Sequence, residues 1–301
     1  MAAWGRGVMR VVGPGAVTVW LLAGWPGAGP VAAEQLDEFD SAAGSRRTRR
    51  ASGGGSNAPR EAGCEPHGGE RLVDCGVQLA REGRWREALV PLRSAVALRP
   101  DLAEAHHNLG VALGQLGRHD EAIRSLRQAV RLKPRLAEAH QAMGLSLLLS
   151  GRPGEAVEAY RVAVRLGPPS ATTHLNLGLA LERSGRNEEA LVALDDSLTL
   201  DSDSSAVHSL RAGVLLKLGR CREALHSGQE ATRLQPGSPE AHYHVALALM
   251  ALGRYDEALA ACREALRLKP DFQLAKDTLS EALSHLGRRL REAASGPAAL
   301  T

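Results

Sequence analysis

Apolar and small residues recur along most of this chain in steps of three and four, and a Gly-Arg pair breaks the pattern at regular intervals. Steps of three and four residues are typical of amphipathic helices. The phrase Gly-Arg-x-x-Glu-Ala occurs six times with a constant period of 34 residues, beginning at Gly83, Gly117, Gly151, Gly185, Gly219 and Gly253. A strict period of this length indicates one supersecondary unit copied in tandem, each copy burying its apolar face against its neighbours.

Each unit is predicted to be two helices joined by the Gly-Arg turn. Counting each unit from position 1, Leu always stands at position 11, Ala at position 20, and Gly or Ala at position 8. The turn Gly suits a left-handed helix C-cap, and the Pro at position 32 of every unit but the fourth stops the second helix. The predicted units are 69–102, 103–136, 137–170, 171–204, 205–238 and 239–272.

Two helix starts carry recognisable capping signals. The segment from Asp101 to Glu104 has the spacing of a capping box, and Ser238-Pro239 places Pro at the first helical position. Unit five departs from the others, because Arg211, Gly213 and Gly228 stand where apolar or helix-favouring residues are expected. We therefore expect unit five to be the weakest unit and a flexible point.

The repeats resemble the tetratricopeptide repeat family. The resemblance is carried by Leu109-Gly110 and Leu177-Gly178, by the turn-to-helix spacing from Gly83 to Ala88, and by the closing Pro, and it covers residues 69–272. It implies an all-α fold, a right-handed superhelical solenoid of six helix-turn-helix units with an inner groove lined by the first helices. The repeats are closest in style to those of O-linked N-acetylglucosamine transferase-like proteins, without a catalytic domain.

The flanking segments have different compositions. Residues 1–33 contain no acidic residue and carry an apolar stretch from Val11 to Trp25, which favours a signal peptide and a secreted or periplasmic protein. An organelle lumen or the cytoplasm is the alternative location. Residues 34–68, rich in Gly, Ser, Arg and Glu, are predicted to be a disordered linker. Within the linker, Arg47-Thr-Arg49-Arg50 is interpreted either as a solvated charge run or as a basic processing site.

After the last unit, residues 273–292 are predicted to form a helix that caps the array, followed by a disordered tail at 293–301. The expected packing stripe of this helix consists of four residues in steps of four and three, Leu279, Leu283, Leu286 and Leu290. Open-ended arrays need such a cap because the last unit otherwise exposes an apolar face.

Charge and cysteine content narrow the function. The formal net charge is +3, and from Cys64 onward 30 basic residues face 29 acidic ones, which argues against nucleic acid or an anionic membrane surface as the main partner. Cys75 and Cys262 fall at core positions and are expected to be buried thiols. In an oxidising compartment Cys64 could instead pair with Cys75, and the sequence leaves this open.

Histidine recurs at position 4 of five units, in His106, His140, His174, His208 and His242. Packed helices lie roughly 8–10 Å apart, too far for two of these imidazoles to share a zinc ion, so we interpret the ladder as structural. We predict no metal, no cofactor and no catalytic residues, and therefore no enzyme activity.

The remaining candidate for function is the inner face of the first helices, which is predicted to be a partly apolar groove for a peptide or partner protein. Its predicted residues are Asn108, Val111, Leu145, Leu148, Leu175, Asn176, Leu179, Leu216, Tyr243, Leu247 and Met250. Several of these Leu could equally serve inter-helix packing. The alternative function is an accessory or fragment of an O-linked N-acetylglucosamine transferase-like system, and self-association through an array end is also possible.

Overall fold

The computed structural model describes residues 68–295, and in that part of the chain it contains thirteen α-helices and no strand. The predicted signal peptide and all but the last residue of the predicted linker lie outside the described residues. The helices are α1 Gly69–Arg81, α2 Trp85–Leu98, α3 Ala103–Gln115, α4 His119–Leu132, α5 Ala137–Leu149, α6 Pro153–Leu166, α7 Ala171–Arg183, α8 Asn187–Leu200, α9 Ser205–Lys217, α10 Cys221–Leu234, α11 Pro239–Ala251, α12 Tyr255–Leu268 and α13 Gln273–Ser295.

The helices pack as successive antiparallel pairs, and the second helix of each pair lies against the first helix of the next. This confirms the predicted all-α solenoid of six helix-turn-helix units with a C-terminal capping helix. The largest core cluster is continuous from Ile123 to Ala258, so neighbouring units share one apolar interior. Unit five keeps both of its helices at full length despite Arg211 and its two glycines.

Each Gly-Arg turn forms the same backbone motif. The six turn glycines have φ between +72 and +78°, a region that a residue with a Cβ rarely enters. The Gly83 N–H donates to the Ala80 carbonyl at 3.0 Å, and the Arg84 N–H donates to the Leu79 carbonyl at 3.0 Å. This pair of bonds is a Schellman motif, which satisfies two carbonyls that the end of a helix otherwise leaves open. The predicted left-handed cap is therefore confirmed at all six turns.

A large side chain from each of the first four second helices fills the space above a glycine of the first helix. A Cβ on Gly110 would lie 2.5 Å from Leu126 Cγ, and a Cβ on Gly144 would lie 2.9 Å from the Tyr160 ring. The four large side chains stand at position 24 and are almost completely buried: Leu92, Leu126, Tyr160 and Leu194. The axes of the paired helices can approach closely because position 8 carries no side chain there.

Units five and six use other residues at these two positions. Position 8 carries Ala212 and Ala246, and the opposing position 24 carries Gly228 and Cys262. A Cβ on Gly228 would lie 2.9 Å from Val245 Cγ2, so the next unit occupies the space that a larger residue would need. In both arrangements at least one of the two facing residues is small, so the paired helices can pack closely.

Of the two predicted capping signals at helix starts, one is confirmed and one is wrong. Ser238 Oγ accepts a hydrogen bond from the Ala241 N–H at 3.2 Å, with Pro239 at the first helical position, as predicted. The capping box at Asp101 is wrong, because α3 begins after Leu102 and has no side-chain cap. The Asp101 carboxylate instead accepts a hydrogen bond from the Arg99 guanidinium at 3.0 Å.

The capping helix α13 buries only part of the predicted stripe: Leu279 and Leu286 are half-buried, whereas Leu283 and Leu290 are 50% and 68% exposed. Ala275, Thr278 and Ala282 are more deeply buried, at 6% exposed or less. The prediction was wrong for Leu283 and Leu290 because it assumed that the largest apolar residues mark the contact. Small residues allow the axis of α13 to approach the last unit closely, and the helix continues to Ser295, beyond its predicted end at residue 292.

The cysteines also divide differently from the prediction. Cys262 is completely buried and free, as expected for a core thiol. Cys75 is only half-buried and is disulfide-bonded, which corrects the expectation of a buried thiol at that position. Cys64, the candidate partner in the sequence, lies outside the described residues.

Candidate functional site

The first helices α1, α3, α5, α7, α9 and α11 form one layer in which each contacts the next first helix along the chain. Position 9 of these helices carries an apolar row that is partly exposed in every unit where it has a side chain. Its members are Val77, Val111, Leu145, Leu179 and Leu247, with Gly213 at the equivalent place in unit five. Leu145 and Leu179 also pack against the main core, so one side of each contacts the interior and the other faces out.

Eight of the eleven predicted groove residues are half-buried and accessible in part. They are Asn108, Val111, Leu145, Leu179, Leu216, Tyr243, Leu247 and Met250. The other three are corrections, because Leu148, Leu175 and Asn176 are only 1%, 6% and 4% exposed. These three side chains pack between helices, because adjoining helices cover them. The sequence gives the face of a helix but not how far its neighbours overlap it.

Polar side chains of the first helices are tied to each other across unit boundaries. The Gln141 side-chain amide donates to Thr173 Oγ1, and Lys217 pairs with Glu182. Two acidic residues of the first helices are also paired within their own units, Glu104 with Lys133 at 3.1 Å and Glu240 with Lys269 at 3.6 Å. Much of the polarity around the apolar row is therefore already satisfied within the chain. The surface that remains for recognition is mainly the apolar row.

The apolar row is interrupted in unit five by an imidazole. A Cβ on Gly213 would lie 3.3 Å from His244 Nε2, and His244 Nδ1 is 3.0 Å from Ser209 Oγ. The missing side chain at position 213 thus makes room for His244 of the next unit. The sequence singled out Gly213 only as a weak point, and the structural reason for the glycine was missed.

The C-terminal end of the inner layer is aromatic. The rings of Tyr243 and Phe272 lie 5.1 Å apart between centroids, and Lys269 Nζ lies 4.9 Å from the centre of the Phe272 ring. Lys269 also pairs with Glu240 at 3.6 Å. In a chain with only 3% aromatic residues, this cluster makes the end at unit six chemically distinct from the aliphatic row before it.

Two histidines of the inner layer are held neutral by their surroundings. Burial lowers the pKa of His107 to about 4, against the weaker opposing effect of Glu138 and Glu104. Burial likewise lowers the pKa of His244 to about 4, with Glu182 opposing it. At neutral pH neither imidazole therefore adds a positive charge beside the apolar row.

The histidine ladder at position 4 has the structural role predicted for it. In four units Nε2 hydrogen bonds to the backbone carbonyl six residues earlier, for example His106 to Pro100 at 3.0 Å and His208 to Ser202 at 3.1 Å. Each bond fixes the loop that precedes its unit. In unit four, His174 lies 3.7 Å from Asp196 instead. Among the residues that the structure describes, no group of three possible ligands could hold a metal ion.

The charges of the repeated phrase pair with one another at the start of each second helix. Arg186 donates through Nε and Nη2 to both carboxylate oxygens of Glu189, at 2.7 and 2.8 Å, and equivalent pairs occur at all six turns. In units two to four the same Glu is also paired with an Arg of the preceding unit, as Glu189 is with Arg161 at 2.6 Å. These ion pairs lie on the second helices and support the scaffold.

No helix among residues 68–295 combines the length and the apolar character that crossing a membrane requires.

Family models match most of the array. A model described as "Tetratricopeptide repeat" matches residues 107–171, 141–205 and 210–271, and one described as "TPR repeat" matches residues 76–117. No curated protein matches the chain.

Solved structures share the fold at low sequence identity. The chain superimposes on YrrB, described as a TPR protein with an unusual peptide-binding site, with a TM-score of 0.55 and 21% identity over 62% of this chain and 96% of the other. The pilF protein of Pseudomonas aeruginosa gives a TM-score of 0.61 and 21% identity over 71% and 97%. The Cut9–Hcn1 hetero-tetramer of APC/C gives 0.59 and 18% over 73% and 43%. With its repeats matched over more than half of its length, the chain belongs to the tetratricopeptide repeat family.

Proposed function

We propose that the protein is a non-catalytic interaction scaffold that holds a peptide or a segment of a partner protein along the apolar row. The supporting observation is that Val111, Leu145, Leu179 and Leu247 occupy one equivalent position and are all partly exposed. An extended segment or a helix with regularly spaced apolar residues could contact several units at once. The fold supports this use, since YrrB, a protein of the same fold, has a peptide-binding site.

The apolar row has one partly exposed residue in each of units one to four and in unit six, all on the layer of first helices. Val90 and Val192 are 66% and 63% exposed, but they lie singly on second helices of units one and four. Isolated apolar residues are normal on protein surfaces, whereas a row of them indicates an interaction surface. Val90 and Val192 therefore provide a matched control for the row.

The test is a selection of random peptides displayed on phage against the full chain, followed by calorimetric titration with the enriched peptides. In the groove variant, Leu145→Lys with Leu179→Lys, the lysine stems keep part of the packing while the ammonium groups enter the row. We expect at least a tenfold loss of affinity. The control variant, Val90→Lys with Val192→Lys, should change affinity by less than twofold. Equal affinities for both variants would refute the proposal, provided that circular dichroism shows both to be folded.

The alternative function, an accessory of a glycosyltransferase-like system, comes from the style of the repeats, and Asn108 and Asn176 are the residues that bear on it. Asn176 is buried, and the Asn108 amide donates to the Glu104 carbonyl of its own helix at 2.8 Å. Neither observation favours sugar or acceptor-peptide handling. Transfer of sugar from a sugar nucleotide to an acceptor peptide by the purified chain would overturn the proposal that it is non-catalytic.

A further inference from the structure

The junction between units four and five is built differently from the junctions before it. In the first three junctions an Arg at position 25 approaches the Glu at position 19 of the next unit. The pairs are Arg93–Glu121 at 3.9 Å, Arg127–Glu155 at 3.1 Å and Arg161–Glu189 at 2.6 Å. At the fourth junction position 25 is Asp195, which cannot attract Glu223 in that way. This series of Arg–Glu pairs between neighbouring units, the Arg–Glu ladder, therefore does not continue at this junction.

Asp195 is paired instead with an arginine that replaces a core residue. Position 7 is apolar or Cys in the other units, but in unit five it is Arg211. The Arg211 Nε donates to Asp195 Oδ1 at 2.7 Å, and its Nη1 donates to Ser227 Oγ at 2.6 Å. The Arg211 side chain is 19% exposed, whereas Ser227 is 1% exposed. The charged end of a partly buried arginine thus stands at position 7, where the other units have an apolar residue or Cys.

One more feature marks the same junction. Among the described helices, α8 and α9 also form the least extensive contact of any second helix with the following first helix. The stability of a linear array is approximately the sum of the stabilities of its units and of the contacts between neighbouring units. Local opening of the array is therefore concentrated at the junction with the weakest contact.

We propose that the junction between units four and five is a hinge held closed by the Arg211–Asp195 ion pair. The hinge separates units one to four from units five and six with their capping helix. Since the junction lies between Leu179 and Leu247, its opening changes the spacing of the apolar row without unfolding either part. Apolar packing is insensitive to moderate salt, whereas a partly exposed ion pair is weakened by it, so the hinge responds to ionic strength.

The test is amide hydrogen exchange on the full chain, read helix by helix. The hinge variant is Asp195→Asn, and the matched control is Arg161→Gln, which removes one charge from an inter-unit ion pair one junction earlier. We expect Asp195→Asn to accelerate exchange in α9 and α10 at least tenfold relative to α5–α7, because Arg211 loses the carboxylate that accepts the hydrogen bond from its Nε. Arg161→Gln should change no helix by more than threefold. Equal effects of the two variants, or uniform acceleration of all helices by Asp195→Asn, would overturn the proposal.

A repaired variant tests the same hinge from the opposite direction. Arg211→Leu combined with Asp195→Arg restores an apolar residue at position 7 and a cation that can approach Glu223. We expect exchange in α9 to slow at least threefold and to depend less on sodium chloride between 0.05 and 1 M than in the wild type. In the wild-type chain this dependence should be stronger in α9 than in α5. A repaired variant that exchanges as fast as the wild type would contradict the hinge.

Discussion

The first four units and the last two solve the same packing problem with residues of different sizes. Units one to four place a large side chain of the second helix over a glycine of the first, as Leu126 lies over Gly110. Units five and six place a small residue over alanine, as Cys262 lies opposite Ala246. Units one to four are also linked by the Arg–Glu ladder, which ends at Asp195. One repeat pattern therefore yields two regions that differ in their helix–helix contact and in their surface ion pairs.

Truncating the interlocking side chains is expected to have the largest effect on this comparison. Leu126→Ala should lower the free energy of unfolding by about 2–5 kcal/mol, because Leu126 is fully buried and leaves a cavity. Cys262→Ala, at the same position in unit six, removes only a sulfur atom and should cost about 1 kcal/mol. Urea denaturation followed by circular dichroism measures both values. Equal losses would mean that the two regions are packed equally tightly.

Much of this interlock can be predicted from the sequence, and some of it cannot. The period and the small residues within it predict the two-helix unit. They also predict the six turn glycines and the buried Ala at position 20. The burial of Leu148 beside the half-buried Leu145 does not, because it depends on the angle at which neighbouring units overlap. The same limit applies to α13, where Ala282 is buried and Leu283 is exposed.

Filling the glycine space should have the next largest effect. In Gly110→Ala the new Cβ would lie 2.5 Å from Leu126 Cγ, so Leu126 has to move. Overpacking of this kind costs about 1–3 kcal/mol. The control is Gly287→Ala, also in a helix, where a Cβ meets nothing within 4 Å and helix propensity favours Ala by about 1 kcal/mol.

The two glycine variants should therefore differ in stability by about 2–4 kcal/mol. Combining Gly110→Ala with Leu126→Cys reproduces the sizes found in unit six, and the double variant should be less destabilised than the sum of the single variants. Strict additivity, measured by the same denaturation curves, would show that positions 8 and 24 do not compensate for each other.

Acid should weaken each region through its own buried histidine. His107 in unit two and His244 in unit six have pKa values lowered by burial to about 4, against about 6.5 when unfolded. The neutral folded form is therefore stabilising above pH 6.5, and that stability is lost as the pH falls from 6.5 towards 4. At pH 5 the loss is roughly 2 kcal/mol for each histidine.

The histidine prediction is tested by denaturation at pH 7 and pH 5 with His107→Gln and His244→Gln. Each variant should remove its share of the pH dependence, and amide exchange should place that effect in α3 for His107 and in α11 for His244. If both variants keep the full pH dependence of the wild type, other groups cause the acid sensitivity.

Loss of a pair from the Arg–Glu ladder should have the smallest effect on stability. It also gives the most specific test of how the two regions differ. Arg127 and Glu155 connect units two and three at 3.1 Å, with side chains that are 43% and 50% exposed. Exposed pairs contribute about 0.5 kcal/mol, and salt screens them. A double-mutant cycle with Arg127→Gln and Glu155→Gln should therefore give a coupling near that value at low salt and none at 1 M.

At the equivalent place between units five and six, Gln229 replaces the arginine, so a cycle with Gln229→Ala and Glu257→Gln should give no coupling at any salt concentration. A salt-sensitive coupling there would show that the ladder continues to the end of the array and that the two regions are not distinguished by their surface charges.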